Sequence, residues 1–242
     1  MVRKIKSILS QTSYGANLAS WIQKYTFKYL FKNTEELFTY YYRTNKWGNS
    51  ESLSGPGSSL AATSNLRKIL PEIIKDYGVK RILDAPCGDF HWFKVVTIPD
   101  EVMYIGGDIV RILVEENNIH FSKTNIKFIH LDILNDEIPT ADLWLCRDTL
   151  FHFSNADVIK VLDNLKKSEI KYFLSTSYPE VEENTDILTG DFRPINLDLP
   201  PFSLPYHLLG YFDDSDEGHI GKKLGLWEIK NAQGETWVKG KA

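Results

Sequence analysis

Five short apolar runs in the middle of the chain, VKRILDA, VMYIGGD, IKFIHLD, ADLWLCRD and KYFLSTSY, constrain the fold more than any other feature. They alternate with helix-length segments such as VRILVEENN and NADVIKVLDNLKK. A strand that is apolar along its whole length, rather than at every second residue, has to be covered on both faces. Helices between successive strands supply that cover, so the pattern predicts an α/β chain with a mostly parallel sheet and helices on both faces. The first three runs carry a carboxylate at the strand end, at Asp84, Asp108 and Asp132, with the same interval each time (108 − 84 = 132 − 108 = 24). Ligands of an open parallel sheet bind beyond the carboxyl ends of its strands, so these acids are expected to share one edge.

The rest of the sequence narrows what such a sheet serves. The formal net charge of −4 argues against a chain whose main work is gripping nucleic acid, which needs a clustered basic face. Cys87 and Cys146 lie far apart, without CxxC spacing or histidines at zinc intervals, so reduced thiols and no metal are expected. No run approaches the roughly 18 apolar residues of a membrane span. The start MVRKIKSILSQ lacks the apolar stretch and cleavage site of a secretory signal, which makes the cytoplasm the expected location, with no stable membrane insertion. In that start Val2, Ile5, Ile8 and Leu9 share a face opposite Arg3, Lys4 and Ser7. Packing against the body is the preferred reading of that face over binding a membrane surface.

Residues 1–60 are expected to form a helical cap and an ordered loop. Trp21, Tyr25 and Tyr29, then Phe27 and Phe31, then Leu37, Tyr40 and Tyr41 recur at helical intervals, and NKWGNSESLSGPGSSL comes after them. Residues 61–242 are expected to form the main domain. It opens with a helix from Ala61 to Gly78, where Pro71 predicts a kink or restart. A Pro-rich segment at about 179–220 is long enough to fold over the strand ends as a lid. LGLWEIKNAQGETWVKG reads as a closing antiparallel hairpin turning near Gly234.

The stretch RILDAPCGDFHWF, residues 81–93, runs from the first strand into a turn. Gly88 lets the backbone approach a ligand closely, and Asp89 can cap or begin the next helix. Asp108 lies close to the ~20-residue interval at which a second-strand acid accepts a ribose hydroxyl. Cys87 reads as a small apolar turn residue rather than a nucleophile or ligand.

With these residues in hand, the chain resembles the class I S-adenosylmethionine-dependent methyltransferases over roughly residues 61–178 and the terminal hairpin. ILDAPCGDF is similar to their first motif, YIGGDIV to the second, FIHLDIL to the third and ADLWLCRDTLFHF to the fourth. The resemblance implies a Rossmann-like seven-stranded sheet ending in an antiparallel hairpin. It also implies S-adenosylmethionine as cofactor and S-adenosylhomocysteine as product. Asp84 and Gly88 would flank the methionine moiety, Asp108 the ribose, and Asp132 with Ile133 the adenine. Ala85, Asp89 and Ile109 would complete the lining, with Arg147 and Asp148 near the sulfonium. Trp47, Gly55 and Ser58 would close over the methionine end. The sequence departs from the family's glycine-rich pattern where Pro86 replaces the first glycine and Phe90 the third. This suggests that a ring, with His91 and Trp92, shapes the cofactor's amino-acid end. Asp84 and Asp89 bracketing the turn suit an ammonium and a sulfonium better than the pyrophosphate of a dinucleotide.

Methyl transfer from a sulfonium requires mainly alignment of the acceptor and, for a hydroxyl, removal of its proton. Asp148 and His152, at the end of the fourth strand, are the candidates for that base, and His91 is a weaker one. Tyr178 is placed to line an acceptor pocket and Arg193 to contact the acceptor, with Asn184, Asp186 and Asn196 in the same segment. SGPGSS, DAPCGDF, GGDIV and CRD look like the motifs of bacterial enzymes associated with surface-polysaccharide assembly. The expected acceptor is therefore a small molecule or glycan precursor. O-methylation would fall on a sugar or small substituent of a capsule-like polysaccharide, phosphorus-containing groups included. A small-metabolite N- or O-methyltransferase and a non-catalytic nucleotide-binding module are the alternatives. An RNA methyltransferase is disfavoured by the acidic balance and by STSYPE, which does not match an amino-methylating Asn-Pro-Pro-Tyr motif.

Overall fold

Each apolar run becomes a strand of one sheet in the computed structural model, which describes residues 30–216 and 218–230. The strands are β1 (Arg81–Asp84), β2 (Met103–Asp108), β3 (Ile126–His130), β4 (Leu143–Cys146), β5 (Tyr172–Ser177), β6 (His207–Asp213) and β7 (Lys223–Glu228). Their order is β3-β2-β1-β4-β5-β7-β6. The first five are parallel, and β7 runs antiparallel to both β5 and β6. Strand order reverses between β1 and β4, which opens a crevice at their carboxyl ends.

Alternation along the strands divides the core between the two faces. Leu83, Trp144 and Phe173 pack with Val158, Val161 and Leu165 of helix α4 (Asn155–Lys167). Ile82, Leu143, Leu145 and Leu174 face the other way, onto α2 (Leu66–Asp76) and α3 (Arg111–Phe121). The α2 helix continues through Pro71, without the restart that was one of the two expected outcomes. It starts at Leu66 rather than Ala61, because residues 60–65 form turns.

A further helix, α1 (Thr34–Arg43), lies ahead of the sheet. Asn33 caps it by accepting from the Glu36 N–H at 2.9 Å. Two of its tyrosines reach outward: Tyr41 Oη donates to the Gly190 carbonyl and Tyr42 Oη to Glu116 of α3. The amphipathic pattern of residues 2–9 and the periodic aromatics from Trp21 to Tyr29 lie outside the described residues.

The antiparallel hairpin forms, but with different members from those expected. Its returning strand β7 starts at Lys223, and its partner is β6, drawn from the segment read as a Pro-rich lid. The second run, beyond residue 230, lies outside the described residues. The 179–195 part of the segment packs beside the ends of β4 and β5. Gly190 N–H donates to the His152 carbonyl, Arg193 N–H to Phe151, and Tyr178 N–H to Ile195. No helix among the described residues is long and apolar enough to cross a membrane.

Candidate functional site

Asp84, Asp108 and Asp132 line one cleft at the strand ends, with Pro86 and Gly88 of the first turn and Ile109 and Ile133 beside them. The cleft opens to solvent at its mouth, and its lining mixes apolar side chains with these carboxylates. Asp84 is buried and accepts from Tyr104 Oη at 2.7 Å. Burial pushes its pKa up to about 7. Asp108 accepts from the N–H groups of Gly88 at 3.1 Å and Val110 at 3.0 Å. Burial raises it to about 6 against the pull of those bonds. Asp132 accepts from the Leu134 N–H and the Asn135 side chain, at 2.9 and 2.7 Å. Gly88 sits at φ +56°, and a side chain there would collide with Ser54. The turn therefore needs glycine at this position.

The loop after α1 closes over this turn. Asp89 holds it, accepting from Ser52 Oγ and Ser54 Oγ and from the Leu53 N–H at 2.8 Å. Trp47 and Ser58 reach the cleft wall; Gly55 does not, and a side chain added there would press on the Trp47 Cβ. Asp89 likewise serves the loop rather than the cleft. Ala85 is fully buried in the sheet, its N–H bonded to the Leu145 carbonyl and its own carbonyl to Trp144 Nε1.

Phe90 corrects the expectation of a ring at the cofactor's amino-acid end. It keeps a glycine-like φ of +57°, and that backbone turns its ring inward among Phe93, Tyr104, Phe121 and Phe128. Aromatic packing offsets a conformation uncommon for a bulky residue. Trp92 lines the cleft, whereas His91 is tied to Glu51 at 2.9 Å. Cys87 is buried, and burial with Asp108 and Asp84 nearby pushes its thiol well above the usual range. It is no thiolate nucleophile. Among the described residues no group of three or more His, Cys, Asp or Glu is placed to hold a metal.

Beyond β4 the chain turns through Asp148, at φ +50°, into a short 3₁₀ turn, Leu150–His152. Thr176 Oγ1 accepts from the Asp148 N–H at 2.8 Å and donates to its carboxylate at 3.2 Å. Arg147 and Lys222 pair with that carboxylate at 3.0 and 3.1 Å. Burial pushes the Asp148 carboxyl up, but the two cations hold it below the usual range. It stays ionised and shared, which suits a positioning role and disfavours proton abstraction.

Arg147 also binds Asp214 at 2.9 Å and donates to the Gly57 carbonyl at 2.8 Å, tying the upstream loop to β4. Its charge is thereby spent on protein partners. Lys222, fully buried, reaches Asp214 at 3.3 Å and Asp216 at 3.0 Å as well. Removing one partner of such a network strands the others without compensation. Lys222→Met is expected to lower stability by about 3–5 kcal/mol, a fall of roughly 10 °C in Tm. Thermal melts check this, and adding Asp214→Asn should recover part of the loss.

His152 also lines the cleft, with Trp47 tilted over it at 4.5 Å between ring centres. Nδ1 lies 2.7 Å from the Asp191 carbonyl. A carbonyl only accepts, so the neutral ring carries its proton on Nδ1 and leaves the Nε2 lone pair open. Burial lowers the pKa to about 4, against opposite pulls from the Asp191 bond and the Asp148 charge. The imidazole is therefore neutral at pH 7.

Arg193 does not reach the cleft. Its guanidinium is buried and donates to the carbonyls of Thr185 and Leu150 and to Asn155 Oδ1, all within 3.1 Å, so it braces the 179–195 segment. Asn184 and Asn196 bond within the same segment, and Asp186 accepts from the Asn155 N–H. Tyr178 lines a separate depression nearby. Sequence reasoning missed the α1 residues Thr34, Phe38 and Tyr42 in the cleft wall, and the Lys222, Asp214 and Asp216 network. The acids and lysines of DDSDEGHIGKK were the available signal.

No family model and no curated protein matches the sequence. Solved structures do resemble the fold. Magnesium protoporphyrin IX methyltransferase from Synechocystis PCC 6803, solved with S-adenosylmethionine, aligns with a TM-score of 0.57 at 10% identity, over 82% of this chain and 98% of that one. Human N-acetylserotonin methyltransferase, also with S-adenosylmethionine, gives 0.56 at 15% identity, over 91% and 68%. PigF, with S-adenosylhomocysteine, gives 0.52 at 10% identity over 69% of this chain, which spans only 55% of PigF. The chain has the fold of the class I S-adenosylmethionine-dependent methyltransferases.

Proposed function

We propose that the protein is an S-adenosylmethionine-dependent methyltransferase acting in the cytoplasm. Its proposed acceptor is a hydroxyl of a sugar or small substituent destined for a bacterial surface polysaccharide. The observation that carries the reading is the convergence of Asp84, Asp108 and Asp132 on one cleft that His152 also lines. Asp84 and Asp108 are buried carboxylates with raised pKa values and, among the described residues, no cationic partner bonded to them, a setting that favours a positively charged ligand rich in hydroxyl donors. A sulfonium nucleoside with an α-amino group has that character. The binding of the same cofactor by proteins of like fold supports the assignment.

Asp108 would hold the ribose hydroxyls, Asp132 and Ile133 the base, and Asp84 with Gly88 the amino-acid end. When bound, the cofactor would supply an activated methyl group and leave as S-adenosylhomocysteine once that methyl had passed to the acceptor oxygen. His152 Nε2 takes the proton that the hydroxyl loses, and the Asp191 carbonyl fixes the tautomer that makes this lone pair available. Asp148, clamped by Thr176, Arg147 and Lys222, fixes the turn that carries the histidine. Trp47 and the loop behind it limit the access of water.

The acceptor is tested by incubating the protein with radiolabelled S-adenosylmethionine and an extract of surface-glycan precursors. Alkali-stable label in sugar methyl ethers is the expected result. Label confined to amines would move the assignment to a small-metabolite N-methyltransferase, and label in RNA would contradict it.

A further inference from the structure

Helix α1 crosses the strand-end cleft from one lip to the other. Thr34, Phe38 and Tyr42, each four residues from the next and so on one face of the helix, all line the cleft. The flanks of that stripe hold opposite lips, and they hold them by different chemistry.

On the β4 side the contact is mainly apolar and buried. Phe38 packs on Phe153, 5.9 Å between ring centres, and Leu37 and Tyr41, the buried residues of α1, sit against Gly190. A Cβ at Gly190 would lie only 2.9 Å from the Leu37 side chain, so the close approach depends on glycine there. The Tyr41 hydroxyl donates to the Gly190 carbonyl at 3.2 Å. On the α3 side the contact is polar and solvated. Glu35 pairs with Arg111 at 2.9 Å and lies 3.5 Å from His130, and the Tyr42 hydroxyl donates to Glu116. The Glu35 and Arg111 side chains are 32% and 63% exposed. Water competes for such pairs, so each holds its partners weakly.

The helix is thus anchored at one lip and latched at the other. Asp108, Asp132 and Ile133 line the same cleft as the α1 stripe. Burial, the bond to Glu116 and the charges of Asp89 and Asp108 together raise the pKa of Tyr42, which sets this end of the stripe beside the group assigned to the ribose. A nucleoside held there would lie between α1 and the strand ends, and lifting the latched flank would uncover it.

Resting on the reading of this cleft as a nucleoside cofactor site, we infer that α1 is a strap over the cofactor. It pivots on its contacts with Phe153 and Gly190, releases Glu35 and Tyr42 from the α3 lip to let the cofactor pass, and closes again. Arg111 and Glu116, which stand outside the cleft lining, set the rate of cofactor exchange without touching the cofactor.

The test uses the full chain and an Arg111→Ala/Glu116→Gln double variant, which loosens the latches and leaves the lining of the cleft intact. Stopped-flow fluorescence of the tryptophans, of which Trp47 and Trp92 line the cleft, reads the binding and release of S-adenosylhomocysteine. The latches hold the strap closed with and without ligand. Loosening them is therefore expected to raise association and dissociation rates alike, by about fivefold or more, with Kd within about threefold of wild type. A rise in dissociation alone, the mark of a lost binding contact, would overturn the strap, as would unchanged rates with a lowered Tm. Hydrogen exchange gives a reading that needs no ligand. Amides of residues 37–44 are expected to exchange as one unit ahead of those of β1 and β4, and about fivefold faster again in the double variant. Exchange of α1 in step with the sheet, or unaltered in the variant, would overturn the strap. If the wild type binds no S-adenosylhomocysteine, the cofactor reading falls by itself and the ligand-free exchange alone decides the strap.

Discussion

Asp108→Asn lowers affinity for S-adenosylhomocysteine by at least about 100-fold and leaves the protein folded. This is the largest binding effect expected of any single site. A hydrogen bond to a charged acceptor contributes about 1.5–3 kcal/mol, and in the proposed binding mode the carboxylate would accept from two ribose hydroxyls, so about 3 kcal/mol or more is at stake. The amide keeps one oxygen for the Gly88 or Val110 N–H that Asp108 now serves, and it removes a buried charge that burial already disfavours. Loss of the second N–H bond opposes the relief from burying a charge, so Tm is expected to stay close to wild type at pH 8. Loss of affinity by calorimetry with an intact melt is the expected pair of results; wild-type affinity would move the ribose elsewhere.

The second large effect is on turnover. His152→Gln is expected to cut kcat by about 100-fold or more while cofactor affinity stays within about twofold, the size usual for a lost general base. Glutamine still offers an N–H to the Asp191 carbonyl but no imidazole lone pair. His152→Phe keeps a ring under Trp47, so recovery of activity in that variant would reduce the histidine to packing. The pH profile gives an independent reading. With a folded pKa of about 4, the base is neutral across pH 5–8, so the rate limb assigned to it falls only as pH drops toward 4. Stability depends on the same group. Its pKa is lower folded than unfolded, where it is about 6.5, so the unfolded chain binds more protons between pH 6.5 and 4. The contribution is present above pH 6.5, is lost as pH falls through that window, and disappears in His152→Gln.

What the sequence revealed and what it hid differ in physical kind. The parallel strands were legible because burial on both faces writes a continuous apolar run into each of them. The strand-end acids were legible because they stand at fixed distances from those runs. Strand β6 was hidden: as an edge strand it is only partly buried, and it comes after the Pro-rich stretch that reads as loop. Phe90 was misplaced because the direction of its ring depends on a positive φ, which residue identity does not encode for an aromatic. The clamp on Asp148 was invisible because Lys222 lies 74 residues away and meets it only once β7 has joined β5. The tautomer of His152 likewise depends on a backbone carbonyl 39 residues downstream.

The cleft itself is tested most directly by calorimetric titration of the purified protein with S-adenosylhomocysteine, run beside NADH. Micromolar binding of the first and none of the second is the predicted result. Binding of NADH, or of neither, would contradict the assignment of Asp84, Asp108 and Asp132 to a sulfonium nucleoside.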